Sequence, residues 1–211
     1  LALSHPTRVA IDGVDAAGKT TLADELAGPL RARGRLVIRA SIDGFHNPRE
    51  VRHRRGPDSP EGYYLDSFDH GALCASLLQP LGPGGDLRYR TATFDYRTDS
   101  RVAAPERLAP ADAVLLFDGV FLLRPDLDGF WDYVVFVDVP LEVTLERAQI
   151  RDTRLFGTAE AVRAQYMRRY VPGQRIYLER CRPKQRADAV VANVDASAPT
   201  LRVRTQEPDG G

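Results

Sequence analysis

The sequence predicts an α/β fold in which helices flank a parallel β-sheet. Strand-like and helix-like patterns alternate along the chain, as they do in layered α/β proteins. Two runs, 113–119 and 133–138, are apolar enough to be strands buried on both faces. A loop with two glycines joins the first predicted strand to the first predicted helix. Parallel strands connected by right-handed helical crossovers are the simplest topology for this order.

The first half of the chain alternates short apolar runs with periodic and turn-rich segments. The elements predicted here are a strand at 9–11, a helix at 21–27, a strand at 35–40 that ends at 41–43, an exposed loop at 47–62, a helix at 66–81 and a β-hairpin arm at 87–96. Richness in Arg, Pro and Gly predicts the loop. Apolar residues on one face predict the helix at 66–81, which a Pro- and Gly-rich segment ends.

The second half contains the most apolar strands. The predicted elements are strands at 113–119 and 133–138, helices at 141–152 and 159–170, and a short strand at 189–191. Residues 201–204 either pair at the edge of the sheet or belong to a frayed tail. We therefore expect a single domain over 1–200 with a small Arg-rich lid at about 151–170, and a polar C-terminal tail over 201–211.

The loop after the first strand has the pattern G-x-x-x-x-G-K-[ST] over Gly13–Thr20. A strand before it and a helix after it are the setting in which this pattern binds phosphate. The glycines permit backbone angles that a side chain forbids, so that successive N–H groups can curl around phosphate oxygens. The start of the helix adds its positive dipole end. An ordinary glycine turn before a helix is the alternative, and it has no need of Lys19 and Thr20.

Two acidic residues follow predicted strands at the edge where the phosphate loop lies. Asp43 follows the second strand, and Asp118 ends the most apolar strand. Carboxylates at this edge can accept a proton from an attacking hydroxyl or hold Mg²⁺ or its water. In both cases the alternative is a structural Asp-Gly turn. Asp138, which ends the next strand, is a weaker candidate.

Arginines are concentrated in the two helical stretches before and after residues 156–158. The cluster consists of Arg147, Arg151, Arg154, Arg163, Arg168 and Arg169. Arginine binds phosphate through two parallel hydrogen bonds and stabilises charge in phosphoryl transfer. A hinged lid of this composition would close over ATP and exclude water. A solvated face in an Arg-rich chain is the alternative, and we favour Arg151 and Arg154 as the functional pair.

The composition limits the classes of partner. Lys plus Arg equals Asp plus Glu, at 29 each, which argues against general binding to nucleic acid or to a membrane surface. The two cysteines lie far apart without metal-ligand spacing, and we expect unpaired thiols in a reducing cytoplasm. No apolar run or signal-peptide pattern predicts a membrane segment. A homo-oligomer is compatible with these features.

Taken together, these motifs resemble the uridine kinase-like family of P-loop kinases, the relatives of phosphoribulokinase and pantothenate kinase. The resemblance covers about 9–195. Besides the phosphate loop it rests on 43–46 (DGFH), similar to the family's Asp-x-Phe-Tyr signature, on 94–101 (FDYRTDSR), on 114–121, on Arg151-Asp152, and on 169–174 and 187–191. It implies a parallel sheet of the P-loop NTPase type with a small Arg-rich lid, and a cytoplasmic enzyme of nucleoside salvage.

The resemblance also implies roles for individual residues. ATP and Mg²⁺ would be the cofactors, and the acceptor would be a small molecule. Asp43 would be the general base, with Lys19 and Arg151 in catalysis. The donor would be bound by Gly13, Asp15, Ala16, Ala17, Gly18, Lys19, Thr20, Thr21, Arg151 and Arg154. The acceptor would be bound by Asp43, His46, Phe94, Tyr96, Asp99, Arg101 and Gln174, and the metal by Thr20, Asp118 and Asp43.

Three residues depart from the family pattern. His46 replaces the signature Tyr, Asp99 stands where uridine-specific members often have His, and Asp118 stands where many members have Glu. We expect an ATP- and Mg²⁺-dependent kinase whose acceptor is uridine or cytidine. The alternatives are the same chemistry on a sugar, a pantothenate-like molecule or a modified nucleoside, and a nucleotide-binding switch protein that needs neither Asp43 nor an acceptor pocket.

Overall fold

The computed structural model describes residues 3–204. Its strands, in chain order, are β1 (Thr7–Gly13), β2 (Val37–Ser41), β3 (Arg88–Tyr89), β4 (Phe94–Asp95), β5 (Ser100–Arg101), β6 (Arg107–Leu108), β7 (Val114–Gly119), β8 (Tyr133–Asp138), β9 (Ala189–Ala192) and β10 (Thr200–Val203).

Helices flank and connect these strands. They are α1 (Lys19–Ala32), α2 (Arg49–Arg52), α3 (Pro60–Asp66), α4 (His70–Leu73), α5 (Leu141–Arg151), α6 (Thr153–Phe156), α7 (Ala159–Gln165), α8 (Val171–Cys181) and α9 (Pro183–Arg186). Wider π-helical turns at Cys74–Leu78 and Tyr166–Tyr170 extend α4 and join α7 to α8, and short 3₁₀ turns occur at Ile42–Phe45 and Pro125–Leu127. No helix within 3–204 is long and apolar enough to cross a bilayer.

The central sheet has the strand order β10-β9-β8-β1-β7-β2. All of its neighbouring pairs are parallel except β9 with β10. The predicted parallel sheet flanked by helices is therefore confirmed, with one antiparallel edge strand. Since β10 pairs along Thr200–Val203, the structure follows the edge-pairing alternative for this segment; the rest of the predicted tail, 205–211, lies outside the described residues.

Hydrophobic packing on both faces explains why the central strands are so apolar. Every residue of β7 is buried. On one face, α1 packs its small residues Ala23 and Ala27 against the sheet. On the other face, Phe117 belongs to a core cluster that also contains the aromatic side chains of α3 and α8. A helix on each face leaves no solvent-exposed side for these strands. Because β1, β7 and β2 pair in parallel, their carboxyl ends lie together at one edge of the sheet.

Predicted and observed helices differ in two segments, and one observed helix was not predicted. The predicted loop 47–62 contains α2 and the start of α3, because Ser59 caps α3 by accepting from the Gly62 N–H and Pro60 occupies its first turn. The predicted helix 66–81 begins later, at His70, since Asp69 caps it by accepting from the Ala72 N–H at 2.8 Å. The helix α8 was not predicted.

The predicted hairpin arm at 87–96 is also different. Instead of one hairpin, β3 pairs with β6 and β4 pairs with β5, which gives two small antiparallel ladders. Each ladder has two residues per strand, too short to show a period of two in the sequence. The predicted strands at 113–119, 133–138 and 189–191 and the helices at 141–152 and 159–170 are confirmed within a few residues.

Candidate active site

The phosphate loop joins β1 to α1 in the conformation that its glycines permit. Gly18 has a φ of +97°, and a Cβ atom there would lie 2.6 Å from the Asn193 Nδ2. A Cβ atom on Gly13 would lie 2.7 Å from the Val137 carbonyl oxygen. Real Cβ atoms do not approach so closely, so Gly13 is required for space beside a rigid backbone, while Gly18 is required for its backbone angle and a side chain there would displace Asn193.

Lys19 begins α1 and is buried under the loop. Its Nζ donates to the Val14 carbonyl oxygen at 2.7 Å, which brings the ammonium group back across the loop. Burial lowers the pKa of Lys19, and the nearby carboxylates of Asp15, Asp12 and Asp118 oppose that shift. The geometry places a cation where a loop of backbone N–H groups already favours an anion.

Thr20 and Asp118 are brought together by adjacent strands. The Thr20 hydroxyl donates to the Asp118 Oδ2 at 2.7 Å, and Arg39 Nη2 donates to the other carboxylate oxygen at 3.0 Å. Because the hydroxyl proton points at Asp118, the lone pairs of the Thr20 oxygen remain available to a cation. Oxygen donors of this kind suit Mg²⁺. Within 3–204 no three His, Cys, Asp or Glu side chains form a metal-binding group.

Asp43 lies in the short 3₁₀ turn after β2 and faces an open cleft. Its carboxyl group is accessible from the cleft, but the surrounding walls desolvate it and raise its pKa. The adjacent His46 lowers that pKa, while the carboxylates of Asp15 and Asp118 raise it. The pKa of His46 itself is lowered, and desolvation is the largest cause. A carboxylate held in this way is a stronger proton acceptor than an exposed one.

The cleft has a volume of about 540 Å³ and is lined by half of the predicted site residues. Those that line it are Asp15, Lys19, Thr20, Asp43, His46, Tyr96, Asp118, Arg151 and Arg154. One wall is aromatic, since the His46 ring lies between the rings of Phe68 and Tyr96, with centroid distances of 4.6 and 4.7 Å. Phosphate-binding, acidic and aromatic groups therefore meet in one cleft.

The predicted lid arginine is held by neighbouring groups. Arg151 donates to both carboxylate oxygens of Asp152, at 2.7 and 2.9 Å, and the Tyr166 hydroxyl donates to the same carboxylate at 2.7 Å. The pKa of Arg151 is raised, and the largest cause is its hydrogen bond to Asp152. These contacts orient the guanidinium group at the cleft, whereas Arg154 lines the cleft with an exposed side chain.

Four predicted acceptor residues do not line the cleft. Phe94 is buried in β4, and Arg101 is exposed on β5. Asp99 accepts from the Arg49 N–H at 2.8 Å and from Arg52 Nη2 at 3.0 Å. Gln174 is buried on α8, where it hydrogen-bonds to Asp15. These four side chains are not part of the cleft lining, but Gln174 contacts Asp15, which is.

A second groove of about 200 Å³ lies on the other side of the phosphate loop. The predicted donor residues Ala16, Gly18 and Thr21 line it, together with Arg147 and Asn193. Asn193 Nδ2 donates to the Ala17 carbonyl oxygen at 2.8 Å, and Arg147 Nη2 donates to the Asn193 carbonyl oxygen at 2.8 Å. Sequence reasoning missed Asn193, because no local signal indicates a contact across 176 residues.

Asp12 is a further residue that sequence reasoning missed. It is fully buried under the phosphate loop, accepting from the Tyr177 hydroxyl and from the Leu122 N–H. Burial raises its pKa to about 6, and these hydrogen bonds and Lys19 limit the shift. Its position directly before Gly13, at the end of an apolar strand, was the available signal.

Comparison with known proteins agrees with this arrangement. The family model for the phosphoribulokinase/uridine kinase family matches residues 9–198. The chain is 28% identical over 189 residues to uridine-cytidine kinase B of Dictyostelium discoideum, covering 89% of this chain and 74% of that protein. It is 32% identical over 208 residues to the thymidylate kinase of Bordetella petrii, covering 94% and 91%. A possible uridine kinase from Bacillus stearothermophilus has a similar structure, with a TM-score of 0.70 at 25% identity, over 90% of both chains.

Proposed function

This chain belongs to the phosphoribulokinase/uridine kinase family and is a phosphotransferase that acts on a hydroxyl group, and we propose that it transfers the γ-phosphate of ATP, with Mg²⁺, to the 5′-hydroxyl of uridine or cytidine. The observation that carries the proposal is the position of Asp43 in the same cleft as Lys19 and Thr20. For in-line transfer, the general base and the groups that bind the phosphates must lie in one cleft. We further propose that the activity serves nucleoside salvage in the cytoplasm.

The donor side of the proposal rests on the phosphate loop and the groove beside it. The loop N–H groups and Lys19 would bind the phosphates, and the groove lined by Arg147 and Asn193 is the volume next to them that fits a nucleotide base. Thr20 and Asp118 would hold Mg²⁺, Thr20 directly and Asp118 by orienting the Thr20 hydroxyl. When bound, Mg²⁺ neutralises charge on the phosphate oxygens.

Asp43 would accept the proton of the attacking hydroxyl. Desolvation raises its pKa, so the carboxylate takes up a proton more readily than an exposed aspartate does. General base catalysis of this kind contributes about 10²- to 10⁴-fold in rate. Lys19, Arg151 and Arg154 line the same cleft and would stabilise the charge that spreads over the transferred group.

The acceptor side rests on the aromatic wall. A flat pyrimidine base can stack on rings such as those of His46 and Tyr96, which already lie in contact beside Asp43. Asp99, where a base-reading His often occurs in the family, is engaged by Arg49 and Arg52 instead. Base recognition would therefore depend on the stacking wall rather than on Asp99.

A coupled assay of ADP release tests this function. ATP and Mg²⁺ are supplied with a panel of uridine, cytidine, other nucleosides, sugars and pantothenate. We expect stimulation by uridine or cytidine in the wild type and its loss in Lys19→Ala. Asp112→Asn is the matched control, because Asp112 is exposed in the turn before β7, at the opposite edge of the sheet. Stimulation only by another compound would relocate the acceptor, and acceptor-independent hydrolysis would favour a switch protein.

A further inference from the structure

The phosphate loop of this chain contains a carboxylate, Asp15, that two side chains outside the loop hold in place. Asp15 Oδ2 accepts from the Tyr63 hydroxyl at 2.7 Å and from Gln174 Nε2 at 3.0 Å. The Asp15 backbone N–H donates to Gln174 Oε1 at 2.9 Å. Gln174 therefore binds Asp15 twice, through the main chain and through the side chain.

These contacts argue against a role for Asp15 in holding donor phosphates. Its N–H is already donated to Gln174, so it is not one of the free loop N–H groups that could bind a phosphate oxygen. A carboxylate pointed at a polyphosphate would be repelled by it. The hydrogen bonds from Tyr63 and Gln174 instead hold the carboxylate against α3 and α8.

The Asp15 side chain reaches the cleft that contains Asp43. Asp15 lines the cleft together with Asp43, and it is close enough to Asp43 to raise the pKa of that carboxyl. Tyr63 and Tyr170 also line this cleft. Since only β7 lies between β1 and β2, the ends of these two strands, which lead into Asp15 and Asp43, are about 10 Å apart, a spacing that accommodates a pentose.

The partners of Asp15 also keep it ready to accept a further hydrogen bond. The pKa of Tyr63 is raised well above 10 by burial and by the Asp15 carboxylate, so its hydroxyl stays protonated and donates. Both donors use Oδ2. Among the contacts described for residues 3–204, Oδ1 has no hydrogen-bond donor, which leaves this oxygen for a ligand hydroxyl.

We propose that Asp15 binds the acceptor, with its Oδ1 accepting a hydrogen bond from a sugar hydroxyl other than the one that is phosphorylated. Tyr63 and Gln174 are positioning residues, which orient the carboxylate without contacting the acceptor. This inference rests on the proposed nucleoside kinase function. It moves Asp15 from the donor side, where the motif alone suggests it, to the acceptor side.

Hydroxyl deletion in the acceptor tests the contact. We compare kcat/KM for uridine, 2′-deoxyuridine and 3′-deoxyuridine in the wild type, Asp15→Asn, Asp15→Ala and Tyr63→Phe. A hydrogen bond to a carboxylate predicts a loss of about 10- to 100-fold for whichever analogue lacks the contacted hydroxyl. The kcat/KM of Asp15→Ala for uridine should fall by the same factor. In this variant, removal of the contacted hydroxyl from the acceptor should cause little further loss. Tyr63→Phe, which removes one positioning bond, should show a smaller loss of the same discrimination.

Binding of a fluorescent ATP analogue provides the second readout, independent of any acceptor. The inference predicts that Asp15→Asn binds it as tightly as the wild type or more tightly, since a negative charge has been removed near the phosphates. Weaker nucleotide binding with intact discrimination between uridine and its deoxy analogues would overturn the inference. A wild type that binds nucleotide but is not stimulated by uridine would refute the nucleoside function, while the nucleotide affinity of Asp15→Asn would still decide between donor and acceptor sides.

Discussion

Substitution of Asp12 by Asn should change how the stability of the protein depends on pH. Asp12 is fully buried, and its pKa is raised from 3.8 to about 6, with burial as the largest cause. A carboxyl group whose pKa is raised in the folded state contributes stability below its unfolded pKa and loses it as the pH rises through the folded pKa. The wild type should therefore lose stability between about pH 4 and pH 7 relative to the variant.

The size of this loss follows from the two pKa values. A pKa of about 6 in the folded state against 3.8 in the unfolded state corresponds to about 3 kcal/mol over the full range, at 1.36 kcal/mol per pH unit. Between pH 4.5 and 7.5 the same relation gives about 2 kcal/mol. The Asn side chain keeps an acceptor for the Tyr177 hydroxyl, and any constant cost of its extra N–H groups does not vary with pH.

Urea unfolding at pH 4.5, 6.0 and 7.5 measures the effect. The difference in free energy of unfolding between Asp12→Asn and the wild type should shift in favour of the variant by about 2 kcal/mol across this range. The contributions of the other titrating groups are common to both proteins and cancel in this difference. Asp112→Asn changes an exposed position, so its free energy of unfolding should differ from that of the wild type by the same amount at all three pH values. Parallel curves for Asp12→Asn and the wild type would refute the argument that a buried carboxyl titrates under the phosphate loop.

Three further predictions concern the loop, the core and the base. Gly18→Ala should weaken nucleotide binding at least about 10-fold, because the φ is +97° and the new Cβ would meet Asn193; equal affinity by fluorescence titration would contradict this. Phe117→Ala should lower the free energy of unfolding by about 3–5 kcal/mol in urea, since Phe117 is fully buried in β7. Because desolvation raises the pKa of Asp43, kcat/KM should rise with pH around an apparent pKa above 3.8; a rate flat from pH 4 to 7 would count against Asp43 as the base.

The parts of the site that are contiguous in sequence were predictable. The phosphate loop is a local pattern, and Asp43 and Asp118 follow strands whose ends meet at one edge in any parallel sheet. The start of α3 was also signalled, by Ser59 and Pro60, although the Arg- and Gly-rich composition of 47–62 suggested a loop.

Contacts between distant segments were not predictable. Asp15 and Gln174 are 159 residues apart, and only the packing of α8 beside the phosphate loop brings them together. The prediction that Asp99 binds the acceptor came from the family pattern, and its φ of +51° and its hydrogen bonds from Arg49 and Arg52 are visible only in the structure. Local patterns do not encode such tertiary contacts, so the orientation of Gln174 and Asp99 required the structure.

Product formation by Asp43→Asn tests the central claim most directly. Wild type and variant are incubated with ATP, Mg²⁺ and uridine, and uridine 5′-monophosphate is measured by mass spectrometry beside binding of a fluorescent ATP analogue. The account predicts product in the wild type, a loss of about 10²-fold or more in the variant, and unchanged nucleotide affinity. Product at an undiminished rate in Asp43→Asn would contradict the assignment of Asp43 as the base that faces the phosphate loop.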